Sequence, residues 1–258
     1  MVKKKLIDEI YKPYFLPGGT TSCLMIHGLG SGPYTLRPLA EFLNKHDITV
    51  NSVLLEGHGT KPEDLRNKSI RKEIYKSAFE GAKTLKKMGF KKIFVIGHSL
   101  GGMIALEMLS KNNWIKGGVI LKSPLQLKDW EEKIISFLSK GHSREFTPLH
   151  PFNELYSVHK FYLKHRRYSK IPIKTLYDIT KYMKYVKKRL KYIKQPLLLI
   201  YSKKDKLGGY DTPKIIEEKT NSKKIRKIIL ERSGHTTLFE ADKKKVRKNI
   251  LQFIKAYD

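Results

Sequence analysis

The sequence predicts an α/β protein: a mainly parallel sheet of about seven strands flanked by helices, with a helical cap inserted between two core strands. Three observations carry that expectation. Short apolar runs rich in β-branched residues alternate with stretches of helical periodicity toward both ends of the chain. One of those runs, Ile93-Phe94-Val95-Ile96, passes through Gly97-His98-Ser99-Leu100-Gly101-Gly102 straight into a helical segment. From about residue 123 to 194 the alternation stops, leaving helical, aromatic-rich and lysine-rich sequence without a strand candidate. Strands separated by helices imply parallel pairing through right-handed crossovers. Residues 1–122 and 195–258 are therefore the expected core, and 123–194 the expected cap.

The elements follow in order. Lys12-Pro13-Tyr14-Phe15-Leu16 is the first strand candidate, closed by the turn residues Pro17-Gly18-Gly19. Ser22-Cys23-Leu24-Met25-Ile26 reads as a more buried strand that ends in His27-Gly28-Leu29-Gly30. Residues 34–46 read as a helix, with Leu36, Leu39, Ala40 and Leu43 at helical spacing and Arg37-Pro38 in the first turn. A strand over 49–55 runs into the loop Glu56-Gly57-His58-Gly59-Thr60. Ile70, Ile74, Ala78, Ala82, Leu85 and Met88 trace one helix stripe, ended by Gly89. After the strand at Ile93 come a helix over 103–110 and the buried strand Gly117-Gly118-Val119-Ile120-Leu121. The inserted stretch is broken by Pro148, Pro151 and Pro172, and its Tyr, Phe, Leu and Ile content argues against a disordered linker. Beyond it, Pro196-Leu197-Leu198-Leu199-Ile200-Tyr201 is a strand, 213–219 a short helix, 225–230 a strand and 244–257 the closing helix.

A length of 258 residues is ample for one such domain. Hydrophobic residues at 40% and charged residues at 30% describe a soluble globular chain. No apolar run approaches the roughly 20 residues of a membrane span. The start, Met1 to Asp8, is basic but lacks the continuous apolar stretch of a signal peptide, so a cytoplasmic location is expected. The single cysteine, Cys23, excludes an internal disulfide and reads as a small core residue. Lysine and arginine number 53 against 24 acidic residues, a formal charge of +29 that attracts nucleic acid, anionic membranes or acidic substrates. Yet 43 of the 53 are lysines, scattered in pairs and triplets. Nucleic-acid readers favour arginine forks and gather charge on one face. A lysine-coated solvated surface is the simpler reading, and no specific nucleic acid is expected. Peripheral contact with an anionic membrane remains open.

The chemistry gathers at Ser99. A Gly-x-Ser-x-Gly pentapeptide between a buried strand and a helix is the context of a nucleophile elbow, whose serine sits on a strained turn. Gly97 and Gly101 fit it because a Cβ at either position would collide with the neighbouring strand and helix. A serine hydroxyl needs a base within reach and a group that orients the base. Asp205, in Ser202-Lys203-Lys204-Asp205-Lys206, follows the last-but-one strand; His235, in Arg232-Ser233-Gly234-His235-Thr236, follows the last. Both therefore fall at the carboxyl edge of the sheet, as Ser99 does, and in the order Ser, acid, His. Asp211 and Glu240 are the fallback acids, although Asp211 better fits a helix cap and Glu240 the first turn of the closing helix. The backbone N–H of Leu100 is one candidate oxyanion donor, and the N–H of Leu29, in the loop after Ile26, is the other. His27 then shapes that loop, His98 packs under the elbow or makes a supporting hydrogen bond, and His58 reads as turn structure. The histidines lack metal-ligand spacing, so no metal is expected.

His27-Gly28-Leu29-Gly30, Glu56-Gly57-His58-Gly59, Gly97 to Gly102, the Asp205 loop and Ser233-Gly234-His235 together resemble the α/β-hydrolases. Within them the likeness is to the small bacterial carboxylesterases and monoacylglycerol lipases, and it covers essentially the whole chain outside the cap. The resemblance implies the α/β-hydrolase fold, a small helical cap over the site, and cofactor-free hydrolysis of a small-molecule carboxylic ester. Two departures stand out. The first strand of the family's eight-stranded sheet is missing, since only about twenty residues precede the strand of the oxyanion loop. The Asp205 loop continues Lys206-Leu207-Gly208-Gly209-Tyr210, where relatives more often carry an apolar residue and a proline. On this reading His235 takes the Ser99 proton, Asp205 orients it, and Trp130, Ile134, Phe137, Leu138 and Phe146 supply a pocket for a short-to-medium apolar acyl chain. A monoacylglycerol lipase or lysophospholipase at a membrane surface stays open. So do carbon–carbon hydrolase and perhydrolase chemistry, a noncatalytic binding protein of the same fold, and either a monomer or a homodimer.

Overall fold

The computed structural model describes residues 9–140, 146–148, 168, 170–205, 209, 211–235, 238 and 241–258. Met1 to Asp8, Pro151, residues 206–208, Tyr210, Thr236 and Glu240 lie outside that set, as do the side chains of Trp130 and Phe146. Nine strands occur among the described residues: β1 (Tyr14–Leu16), β2 (Thr21–Ile26), β3 (Ile48–Val53), β4 (Lys92–His98), β5 (Gly117–Leu121), β6 (Phe146–Pro148), β7 (Lys170–Pro172), β8 (Leu197–Ser202) and β9 (Ile225–Leu230). Seven of them form one sheet in the order β1-β3-β2-β4-β5-β8-β9. All its pairings are parallel except that of the short edge strand β1 with β3.

Both faces of this sheet are covered, which is why its central strands read as continuous apolar runs. Alternate residues point to opposite faces. Leu24, Ile26, Val95, Ile120 and Leu199 fall in one buried cluster; Cys23, Met25, Phe94, Ile96, Val119, Leu198 and Ile200 fall in the other. The first cluster is closed by α2 (Tyr75–Lys87), α3 (Leu100–Lys111) and α5 (Ile173–Arg189), the second by α1 (Arg37–Asn44) and α7 (Lys243–Ala256). Two further α-helices occur among the described residues, α4 (Asp129–Lys140) and α6 (Thr212–Lys219). Cys23 is wholly buried, and burial pushes its thiol pKa up, as suits a core residue and not a nucleophile. No helix among the described residues is long and apolar enough to cross a membrane.

The structure corrects the sequence reading in places. Residues 33–46 begin with a 3-10 turn, Pro33–Leu36, before α1, and a π-helical turn, Ile70–Ile74, precedes α2. Met88, expected on the buried stripe, is 54% exposed, because the helix ends there and Gly89 takes φ 92°. The inserted stretch is not strandless: β6 and β7 pair antiparallel. Each is three residues long and ends in proline, which has no N–H for a ladder and reads as a breaker. The described elements of this stretch, α4, β6, β7 and α5, fall between the neighbouring parallel strands β5 and β8. On α5, Tyr182 donates to the buried Glu107 carboxylate of α3, and Arg189 Nε reaches Ser110 Oγ at 3.0 Å. The end of the insertion is thereby fastened to the helix that follows Ser99.

Candidate active site

Ser99 stands between β4 and α3 with φ 55° and ψ −119°, a conformation that costs a non-glycine residue strain. Two glycines make the turn possible. A Cβ on Gly97 would lie 2.2 Å from the Gly101 carbonyl oxygen, and one on Gly101 would lie 2.1 Å from that of Ile26. Neither neighbour is a side chain able to swing aside. The turn is further tied by the Ser99 N–H to the Leu121 carbonyl at 2.9 Å and by Ser123 Oγ to the Ser99 carbonyl at 2.7 Å. Tyr201 on β8 donates to the Ser123 carbonyl at 2.7 Å. Ser99 itself is half-buried, and its Oγ makes no hydrogen bond among the described residues. Leu100 opens α3, where first-turn N–H groups have no partner within the helix and the dipole is positive.

Asp205 and His235 come together. His235 Nδ1 lies 2.9 Å from Asp205 Oδ2 and 3.0 Å from Oδ1, with both residues only 8% exposed. A carboxylate acceptor places the proton on Nδ1, which leaves Nε2 as the basic nitrogen. The loops bearing the pair are joined by Ser202 Oγ, which donates to the Ser233 carbonyl, and by Lys203 N–H to the Leu230 carbonyl at 3.0 Å. Ser233 Oγ donates to Asp242 Oδ2 at 2.7 Å and accepts from the Asp242 N–H at 3.1 Å. His98, the residue before Ser99, reaches the His235 carbonyl through Nε2 at 2.9 Å. A carbonyl only accepts, so that nitrogen is the donor. His98 thus links the elbow to the His235 loop.

The loop after β2 passes beside the serine: a Cβ on Gly28 would lie 3.2 Å from Ser99 Cβ. Its carbonyl is held twice, by His27 Nδ1 at 2.8 Å and by Ser31 Oγ at 2.9 Å. A peptide unit is planar and trans, so fixing the Gly28 carbonyl also fixes the direction of the Leu29 N–H on the same plane. His27 can serve because its Nε2 accepts the Leu55 N–H at 3.0 Å, which leaves Nδ1 to donate. Burial drives the His27 pKa well below 6.5, so the ring is neutral.

Other expectations fare differently. Asp211 is exposed just before α6, and its side chain makes no capping hydrogen bond, contrary to the cap role read from its position. Ile134, Phe137 and Leu138 are exposed on α4, Phe137 by 77%, so they do not enclose an acyl pocket. Asp242, Ser123, Tyr201 and Tyr168 went unnoticed in the sequence. A Ser-x-x-x-x-x-x-x-x-Asp spacing ahead of a helix was the one local signal, and it was too common to use. Among the described residues no cluster of three His, Cys, Asp or Glu side chains could hold a metal ion.

The profile of the Hydrolase_4 family, described as serine aminopeptidase, S33, matches residues 20–242. The chain is similar to a carboxylesterase of Bacillus subtilis (strain 168), at 26% identity over 96% of this chain and 97% of that protein. It is also similar to a thermostable monoacylglycerol lipase of Bacillus sp. (strain H-257), at 26% identity over 94% and 93% of the two chains. Among solved structures, one from work on the metagenome-derived lipolytic enzymes LipS and LipT superposes with a TM-score of 0.86 at 19% identity, covering 97% of this chain and 100% of that one. That likeness is one of fold.

Proposed function

The chain belongs to the Hydrolase_4 (serine aminopeptidase, S33) family of α/β-hydrolases, and from that premise we propose that it is a carboxylic ester hydrolase with Ser99, His235 and Asp205 as its catalytic residues. The observation that carries this reading is the buried Asp205–His235 hydrogen-bonded pair at the sheet edge where the strained Ser99 stands. His235 Nε2 takes the Ser99 proton as Oγ attacks the ester carbonyl. Asp205 holds the tautomer and stabilises the imidazolium that forms. The N–H groups of Leu29 and Leu100 receive the oxyanion, where fixed dipoles stabilise charge that develops only in the transition state. The alcohol leaves with the proton from His235, and water activated by the same nitrogen releases the acid from Ser99. No step calls for a cofactor.

The substrate on this reading is a small-molecule ester with a short-to-medium acyl chain, met in the cytoplasm, with residues 123–194 as a cap over the site. A second reading has its own support. Ile134, Phe137 and Leu138 present apolar surface on α4 in a chain of net charge +29, a combination suited to an anionic membrane carrying monoacylglycerol or lysophospholipid. One assay separates these. Hydrolysis is followed across p-nitrophenyl esters from acetate to palmitate, 1-monoacylglycerols and an aminoacyl p-nitroanilide, with Ser99→Ala as the blank. Turnover peaking at short or medium esters supports the esterase, preference for monoacylglycerol supports the lipase, and cleavage of the anilide alone overturns ester hydrolysis.

A further inference from the structure

The loop Glu56-Gly57-His58-Gly59-Thr60 has no part in the chemistry above, yet it lies against the residue that fixes the Gly28 peptide. The His58 ring packs edge-on against His27, centroids 5.0 Å apart, and Tyr168 stacks on His58 at 6.1 Å with the planes 8° from parallel. Tyr168 comes from the inserted stretch and grips both loops. Its N–H donates to the Gly30 carbonyl at 3.1 Å. Its hydroxyl donates to the Gly57 carbonyl at 3.0 Å and accepts the Thr60 N–H at 3.2 Å. Gly30, with φ 62°, leaves room for this approach: a Cβ there would lie 3.4 Å from Tyr168 Cβ and 3.3 Å from Ile171 Cδ1.

We propose that Tyr168 and His58 are positioning residues that hold the Gly28–Leu29 peptide in register with Ser99, so that the insertion helps to build the oxyanion site; this rests on the reading of the Leu29 N–H as an oxyanion donor. Tyr168 acts on the loop twice, directly at Gly30 and through His58 on His27, whose Nδ1 holds the Gly28 carbonyl. The consequence is a signature in kcat, not KM, because an oxyanion donor acts mainly in the transition state.

The test compares Tyr168→Leu, His58→Leu and Tyr168→Phe with the unaltered chain on p-nitrophenyl butyrate. Amide hydrogen exchange of the segment 27–31 is followed in parallel. Both leucine variants are expected to lose about ten- to a hundredfold in kcat with KM nearly unchanged, and to exchange faster in that segment. Tyr168→Phe keeps the ring stack, the main-chain bond to Gly30 being common to both variants at 168, and is expected to retain most of kcat. A rise in KM alone, or unchanged kcat and exchange, overturns the proposal. Should Tyr168→Leu not fold, His58→Leu carries the same test. If the unaltered chain hydrolyses no ester, it is the esterase reading that has failed. The exchange rates then decide the positioning role alone, faster exchange in 27–31 upholding it and unchanged exchange overturning it.

Discussion

The neutral histidine His58 makes stability depend on pH in a direction that can be worked out beforehand. It is 3% exposed, and burial lowers its pKa from 6.5 to about 4, partly offset by its hydrogen bonds to backbone carbonyls such as Glu56. The unfolded chain therefore binds a proton between those values while the folded chain does not. This contribution to stability is fully present above pH 6.5 and is lost as pH falls toward 4. A change in proton affinity of this size corresponds to about 3 kcal/mol. That is a large share of the roughly 5–15 kcal/mol that holds a typical domain. His27 shifts in the same direction, so it adds to the loss. The assay is urea denaturation from pH 7.5 down to 4.5, comparing the unaltered chain with His58→Gln, which cannot titrate. The variant is less stable at neutral pH, but the gap should narrow steadily as the medium is acidified. A gap independent of pH, or an NMR titration of folded His58 near 6.5, would refute the assignment of a buried neutral ring.

Asp205→Asn should leave the fold intact and lower kcat by about four orders of magnitude, since an amide favours the wrong histidine tautomer; a loss of only a few fold would send the search for the acid to Asp211. Gly101→Ala sets a methyl 2.1 Å from the Ile26 carbonyl oxygen and should leave little folded protein, judged by circular dichroism and melting; a normal melting temperature would contradict the close packing of the elbow. His98→Leu removes the donor to the His235 carbonyl and should lower kcat by about tenfold, while His98→Gln, which retains an N–H, should recover most of it. Equal losses in the two variants would show that the hydrogen bond is not what matters.

How much was legible in the sequence depended on how local each signal is. The order of strands and helices could be read because a sheet covered on both faces writes itself as apolar runs such as Thr21–Ile26. The strained turn at Ser99 was legible because its constraints fall within six residues, Gly97 to Gly102. Asp205 and His235 needed only the rule that loops after parallel strands share one edge, and the structure joins them by hydrogen bonds. Tyr168 was beyond reach, since its hydroxyl meets Gly57 across 111 positions and no local pattern announces such a contact. Reading Glu56-Gly57-His58-Gly59 as a turn was right for the glycines, at φ 79° and 77°, but passed over the packing of His58. The short pair β6 and β7 hid behind its prolines. Phe137 shows the opposite error, an aromatic residue assigned to a pocket from its type when its helix face is open.

The central claim is that Ser99 is a nucleophile activated by its surroundings, and covalent labelling tests it most directly. The chain is treated with an alkyl fluorophosphonate, residual ester hydrolysis is followed, and the adduct is located by mass spectrometry. The account predicts one phosphonyl group, on Ser99, with activity falling in proportion to labelling and no adduct in Ser99→Ala. Labelling elsewhere, or ester hydrolysis that survives full modification of Ser99, would contradict it.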